Sequence, residues 1–72
     1  MFRQVQARAT VDVIKAPVII GGFGIYNVEV WGNPPYDYTR RYEIHAKNDN
    51  LAAQEGLHRF VKEMENLNLS KD

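Results

Sequence analysis

Apolar and polar side chains alternate strictly from Gln4 to Val13. Val5, Ala7, Ala9, Val11 and Val13 fall on one face, and Gln4, Gln6, Arg8, Thr10 and Asp12 on the other. A period of two predicts a half-buried strand over about 4–14. That is long for a strand, so a bulge, a bend or an overhang that pairs with another subunit is expected. A second alternating run covers about 25–31, with Tyr26, Val28 and Val30 inward and Asn27, Glu29 and Trp31 outward. A third covers about 38–46, with Tyr42, Ile44 and Ala46 inward and Arg41, Glu43 and His45 outward.

The connections are Lys15–Gly24, punctuated by Pro17, Gly21, Gly22 and Gly24, and Gly32-Asn33-Pro34-Pro35 with the residues that follow. Both are too short for a helical crossover, so neighbouring strands run antiparallel. Asn48-Asp49-Asn50 then offers three candidate N-caps. Beyond it, Ala53, Leu57, Phe60, Val61, Met64 and Leu67 recur at three- and four-residue spacing, which predicts a helix over about 50–67. Glu55, Arg59 and Glu63 form a charge ladder on its outer face, and Gly56 falls at the rim of the apolar stripe. A glycine there costs about 1 kcal/mol relative to alanine, so close approach to the sheet or to a partner helix is its expected cause. The fold class is α+β: a three-stranded antiparallel β-meander followed by one C-terminal amphipathic helix on one sheet face, β-β-β-α, in a single domain over 1–72. The other sheet face stays open.

Length and composition refine this picture. Seventy-two residues form a small core, and a homodimer sharing an edge or a helix face is one way to enlarge it. There is no cysteine, which removes disulfides, thiolate metal sites and thiol nucleophiles and fits a cytoplasmic protein. Nine basic residues balance nine acidic ones, whereas a dedicated nucleic-acid binder usually carries a basic excess. Met1-Phe2-Arg3-Gln4 opens no signal peptide, and the apolar stretch Pro17-Val18-Ile19-Ile20 is far too short to span a membrane, so no membrane partner is expected.

The candidate chemistry argues against an enzyme. His45 and His58 are expected on opposite sides of the sheet, where they share neither a metal nor a base relay. Ser70 is the only serine and sits in the tail. Glu29 and Glu43 share the open face with Arg41, and a carboxylate paired with arginine is a poor acid. Gly21-Gly22-Phe23-Gly24 lacks a phosphate-binding spacing and leads into a strand, which makes it a hairpin connection whose Ile19, Ile20 and Phe23 form an apolar tip. No cofactor, metal or catalytic residue is expected.

Trp31 together with Tyr36, Tyr38, Arg40, Arg41 and Tyr42 gathers aromatics and arginines around a proline-stiffened loop. These residue types dominate binding hot spots, and a rigid loop lowers the ordering cost of binding. Trp31 and Arg41 are expected within cation–π reach. The leading expectation is a non-enzymatic protein-binding module using Trp31, Tyr36, Tyr38, Arg40 and Arg41, with Arg8, Glu29, Glu43 and His45 as sheet-face contacts. In size and layout, though in no motif, the chain resembles the small accessory proteins of phages and other mobile elements, including those that block host defence systems. That resemblance implies an inhibitor or adaptor of a larger host protein or complex.

A second expectation, less favoured, is nucleic-acid binding by the open face. Three strands backed by a helix is similar to the DNA-binding domains of some phage-type integrases and plant transcription factors. Arg8, Arg41 and His45 would then meet phosphates or bases and Trp31 would stack, against the opposing charge of Asp12, Glu29 and Glu43. A third is a structural subunit of a homo-oligomer.

Overall fold

The computed structural model describes residues 6–34 and 36–69, with the side chains of residues 68 and 69 excepted. The ends of the chain, including Gln4, Val5 and Ser70, lie outside the described residues, as does Pro35. Three strands, β1 (Ala7–Lys15), β2 (Gly24–Gly32) and β3 (Thr39–Ala46), form one antiparallel sheet in the order β1-β2-β3. The helix α1 (Asp49–Leu69) packs on one face of it. The β-β-β-α arrangement expected from the hydrophobic periodicity is the fold.

Register shows why each residue faces as it does. On the helix side the rows are Ala9–Val30–Arg40, Val11–Val28–Tyr42 and Val13–Tyr26–Ile44. On the open side they are Arg8–Trp31–Thr39, Thr10–Glu29–Arg41, Asp12–Asn27–Glu43 and Lys15–Ile25–His45. The expected irregularity in the first strand is a register shift between Val13 and Lys15. The extra residue, Ile14, turns Lys15 onto the open face beside Ile25. Gly32 accepts the chain's sharpest crowding. A Cβ there would collide with the Tyr36 carbonyl oxygen and stand 3.0 Å from the Phe60 ring.

The helix begins as a capped structure, since the Leu51 amide donates to Asn48 Oδ1 at 2.8 Å. Its buried side is Ala52, Gly56, Phe60 and Met64, at a strict spacing of four, with Leu57 only packed against the edge of the core. This corrects the expected position of Gly56, which lies at the centre of the contact and not at its rim. A Cβ on Gly56 would stand 2.5 Å from Val28 Cγ1, so the glycine is what allows the helix to rest directly on the central strand. The core is Tyr26, Val28, Val30, Ile44, Ala46, Ala52, Phe60 and Met64. None of them is charged, and the Tyr26 phenol is the one polar group among their side chains. Gly56 over Val28 and Phe60 under Gly32 show that the helix runs lengthwise along β2, and the molecule measures 47 × 17 × 15 Å.

Candidate binding surfaces

The strand parity that builds the sheet also divides the aromatic and arginine cluster. Trp31 and Arg41 project from the open face, whereas Arg40 shares the helix side with Val30 and Tyr42. Arg40 Nε reaches Glu63 Oε2 on the helix at 2.5 Å, and the Tyr42 hydroxyl donates to Glu63 Oε1 at 2.9 Å. Glu63 is therefore drawn in toward the sheet and does not continue the outer ladder, where Arg59 Nε donates to Glu55 Oε2 at 2.9 Å. The two hydrogen bonds from Arg40 and Tyr42 hold the Glu63 carboxyl below the usual carboxylate range against the opposing effect of burial. Burial first, and then the hydrogen bond to Glu63, pushes the Tyr42 phenol up to about 12. The hydrogen bond to Glu63 likewise raises Arg40. This triad ties β3 to the helix. It is a structural clamp at the edge of the core, and Arg40 is committed to it.

Tyr38 receives the Arg40 guanidinium over its ring at 5.4 Å, and Tyr36 packs against the core. Of the five residues expected at the aromatic hairpin, Tyr36, Tyr38 and Arg40 thus belong to the helix side or the rim. Trp31 and Arg41 remain on the open face one row apart, but Arg41 Nε donates to Glu29 Oε2 at 3.2 Å rather than lying over the indole. The Arg41–Glu29 pair is the cross-strand pairing expected of those residues.

The open face is bare, since no element among the described residues covers it. It carries three cations, Arg8, Lys15 and Arg41, against three carboxylates, Asp12, Glu29 and Glu43; Arg8 and Lys15 stand in the two outer rows, and the carboxylates lie in the rows between them. His45 Nε2 lies 3.6 Å from Glu43 Oε2, an ion pair whenever the imidazole is protonated. Along the central strand Trp31 and Ile25 stand half-buried at the two ends of this mosaic.

A groove of about 920 Å3 runs between the first half of the helix and β3. Its lining includes both His45 and His58, although His45 belongs to the open-face row and its imidazole lies beside Glu43. Among the described residues no group of three or more histidine, cysteine, aspartate or glutamate side chains is placed to hold a metal ion. Phe23 and Leu51 form the groove's apolar end.

Beyond that end the β1–β2 connection stands clear of the helix. Val13, Ile14, Val18, Ile19, Ile20 and Phe23 are all more than half exposed, and Ile20 is fully so. Sequence reasoning found Ile19, Ile20 and Phe23 here, but it placed Val13 among inward residues. The available signal was Pro17 with the glycines that follow, which stop the ladder and leave the apolar run between them without a strand to occupy. No helix among the described residues is long and apolar enough to cross a membrane.

Comparison of the chain with family models, with curated proteins and with solved structures finds no match in any of the three.

Proposed function

We propose that this chain is a non-enzymatic protein-binding module whose open sheet face grips a larger partner. It would act as an inhibitor or adaptor, in the manner of the small accessory proteins that phages and other mobile elements carry. The observation that carries the reading is the charge mosaic on that face. Three cations share the face with three carboxylates, and Arg41 is already neutralised by Glu29. A polyanion gains affinity by meeting uncompensated cations, and this face offers a net charge of zero. A protein surface with its own mixed charges gains register and specificity from such a pattern. Trp31, half-buried at one end of the central strand, supplies the large amphipathic anchor that protein interfaces concentrate their energy on.

Affinity capture from a host lysate with mass spectrometry tests the reading when paired with two variants. Trp31→Ala is expected to weaken capture of the specific partner by roughly tenfold or more, the cost of truncating a hot-spot aromatic. Arg41→Glu reverses a charge in the mosaic and is expected to slow association. Titration with duplex and single-stranded oligonucleotides at low salt is expected to show no binding. Tight, salt-sensitive binding there would replace this reading with nucleic-acid recognition by the same face.

A further inference from the structure

We propose that the β1–β2 tip is a self-association surface through which two copies of this chain join end to end, with Ile20 beside the two-fold axis. The inference is independent of the partner proposed for the open face.

The tip is more apolar than a surface loop needs to be. From Ala16 to Phe23 the sequence is Ala-Pro-Val-Ile-Ile-Gly-Gly-Phe, eight residues with no charge and no side-chain hydrogen-bonding group. Val18 is 81% exposed, Ile19 70% and Phe23 65%. At the base, Val13, Ile14 and Leu51 extend the patch, and Phe23 joins it to the groove beside the helix. Together these side chains present on the order of 800 Å2, which is what each partner contributes to a standard interface. The largest apolar patch on a typical monomer is roughly 300–600 Å2.

Three features favour a second copy as the occupant. In an isologous contact every residue near the axis meets its own equivalent, so a charge there would face a like charge. The tip is uncharged throughout, and at its base Lys47 lies folded over the Phe23 ring at 6.0 Å. Homodimer interfaces are also more apolar than transient heterologous ones, which carry about one hydrogen bond per 100–200 Å2. A loop without a polar side chain cannot supply such bonds from its side chains. Finally, the tip is preorganised. The Gly22 amide donates to the Ile19 carbonyl at 3.0 Å, and Gly21 takes the left-handed conformation, with φ of 80°, that closes the turn. Little ordering is left to be done on association. A lipid surface is the less suitable occupant, because a chain of zero net charge adds no electrostatic attraction to the apolar contact.

The test is the mass of the full chain in solution by sedimentation equilibrium, with small-angle scattering for its shape. The expected result is a concentration-dependent mass reaching twice the 8.3 kDa of one chain. The particle should be far longer than the single molecule's 47 Å. Ile20→Asp is expected to raise the dissociation constant at least about 100-fold while leaving far-ultraviolet circular dichroism unchanged, because the side chain makes no core contact. Mixing Ile20→Asp with Ile20→Lys is expected to restore the pair, since the two substituted positions meet across the axis. Three results would each overturn the proposal. One is a mass of one chain at hundreds of micromolar. Another is a doubled mass that survives Ile20→Asp. The third is a monomer that binds phosphatidylserine vesicles and loses that binding on Ile20→Asp, which assigns the tip to lipid instead.

Discussion

Val13 and Val30 are the same residue type on the same face of the same sheet, yet Val13 is 58% exposed and Val30 is completely buried. The difference lies in what stands above them. At the Val30 end the helix lies against the sheet, with Phe60 filling the space under Gly32 and the Arg40–Glu63–Tyr42 triad sealing the side. In the Val13 row the helix covers Tyr26 and Ile44, which are buried, but not the edge strand β1, so Val13 is left bare. Alternation along a strand decides which face a residue joins. How much of that face is buried is decided by where the covering element docks. One sheet thus has a closed end that holds the fold and a bare end, made only of the last residues of β1 and the β1–β2 turn, that is free for other work.

Substitutions can push on each end in turn. The largest effect is expected from Phe60→Ala, which empties the closed end; a loss of about 3–5 kcal/mol in urea unfolding is the typical cost, close to the whole stability of so small a domain. Gly56→Ala comes next. In an open helix alanine gains about 1 kcal/mol over glycine, but here the new methyl meets Val28, and a net loss of about 1–3 kcal/mol is expected. Adding Val28→Ala to Gly56→Ala should recover part of that loss, so the pair should be strongly non-additive. If Gly56→Ala stabilises the protein, the helix does not rest on the central strand as described.

The triad is expected to contribute less. Tyr42→Phe removes one hydrogen bond to a carboxylate and should cost about 1 kcal/mol. Ultraviolet titration should find the Tyr42 phenol ionising near 12, and lower than that in Glu63→Gln. Because the folded protein holds this proton more tightly, its contribution to stability is complete below the ordinary tyrosine value of 10.0 and is lost as pH rises toward about 12. Glu63 has the opposite sign: its lowered pKa contributes above the ordinary carboxylate range, and the contribution fades as pH falls through it. Asn48→Ala, which deletes the helix cap, should also cost about 1 kcal/mol. The smallest effect on stability belongs to the bare end. At a concentration where the chain is monomeric, Ile20→Ser should change unfolding by less than about 0.5 kcal/mol, because that side chain touches nothing in the core. A large loss there would mean that the two ends are not energetically separate.

Much of this arrangement was legible before any coordinates. Tyr26, Val28, Val30, Ile44 and Ala46 turn inward as their alternation required, and Asn48 caps the helix as its position suggested. The helix stripe was misplaced because apolar periodicity weighs large side chains. Ala52 and Gly56 are small, and their smallness is what brings the helix axis close to the sheet at that line. Arg40 was grouped with Trp31 and Arg41 by nearness in the chain, although parity already placed it beside Tyr42 on the other face. Glu63 could not have been read as its partner from the helix alone, since a charge ladder at four-residue spacing accounts for it equally well. Exposure of Val13 and the tip depends on which strands the helix covers, a long-range relation that no local pattern encodes.

The 15 Å thickness of the molecule has a consequence for its motions. One sheet and one helix leave a single seam of apolar contact, with no second layer behind it. β2 alone has strands on both flanks and the helix above. Releasing β1, β3 or the helix therefore opens the same seam, and no remaining part keeps a core of its own. The slowest-exchanging amides should lie in β2 and report global unfolding rather than a local opening. A ligand that clasps the sheet would then steady the whole molecule at once, and its affinity would be readable as an upward shift in melting temperature.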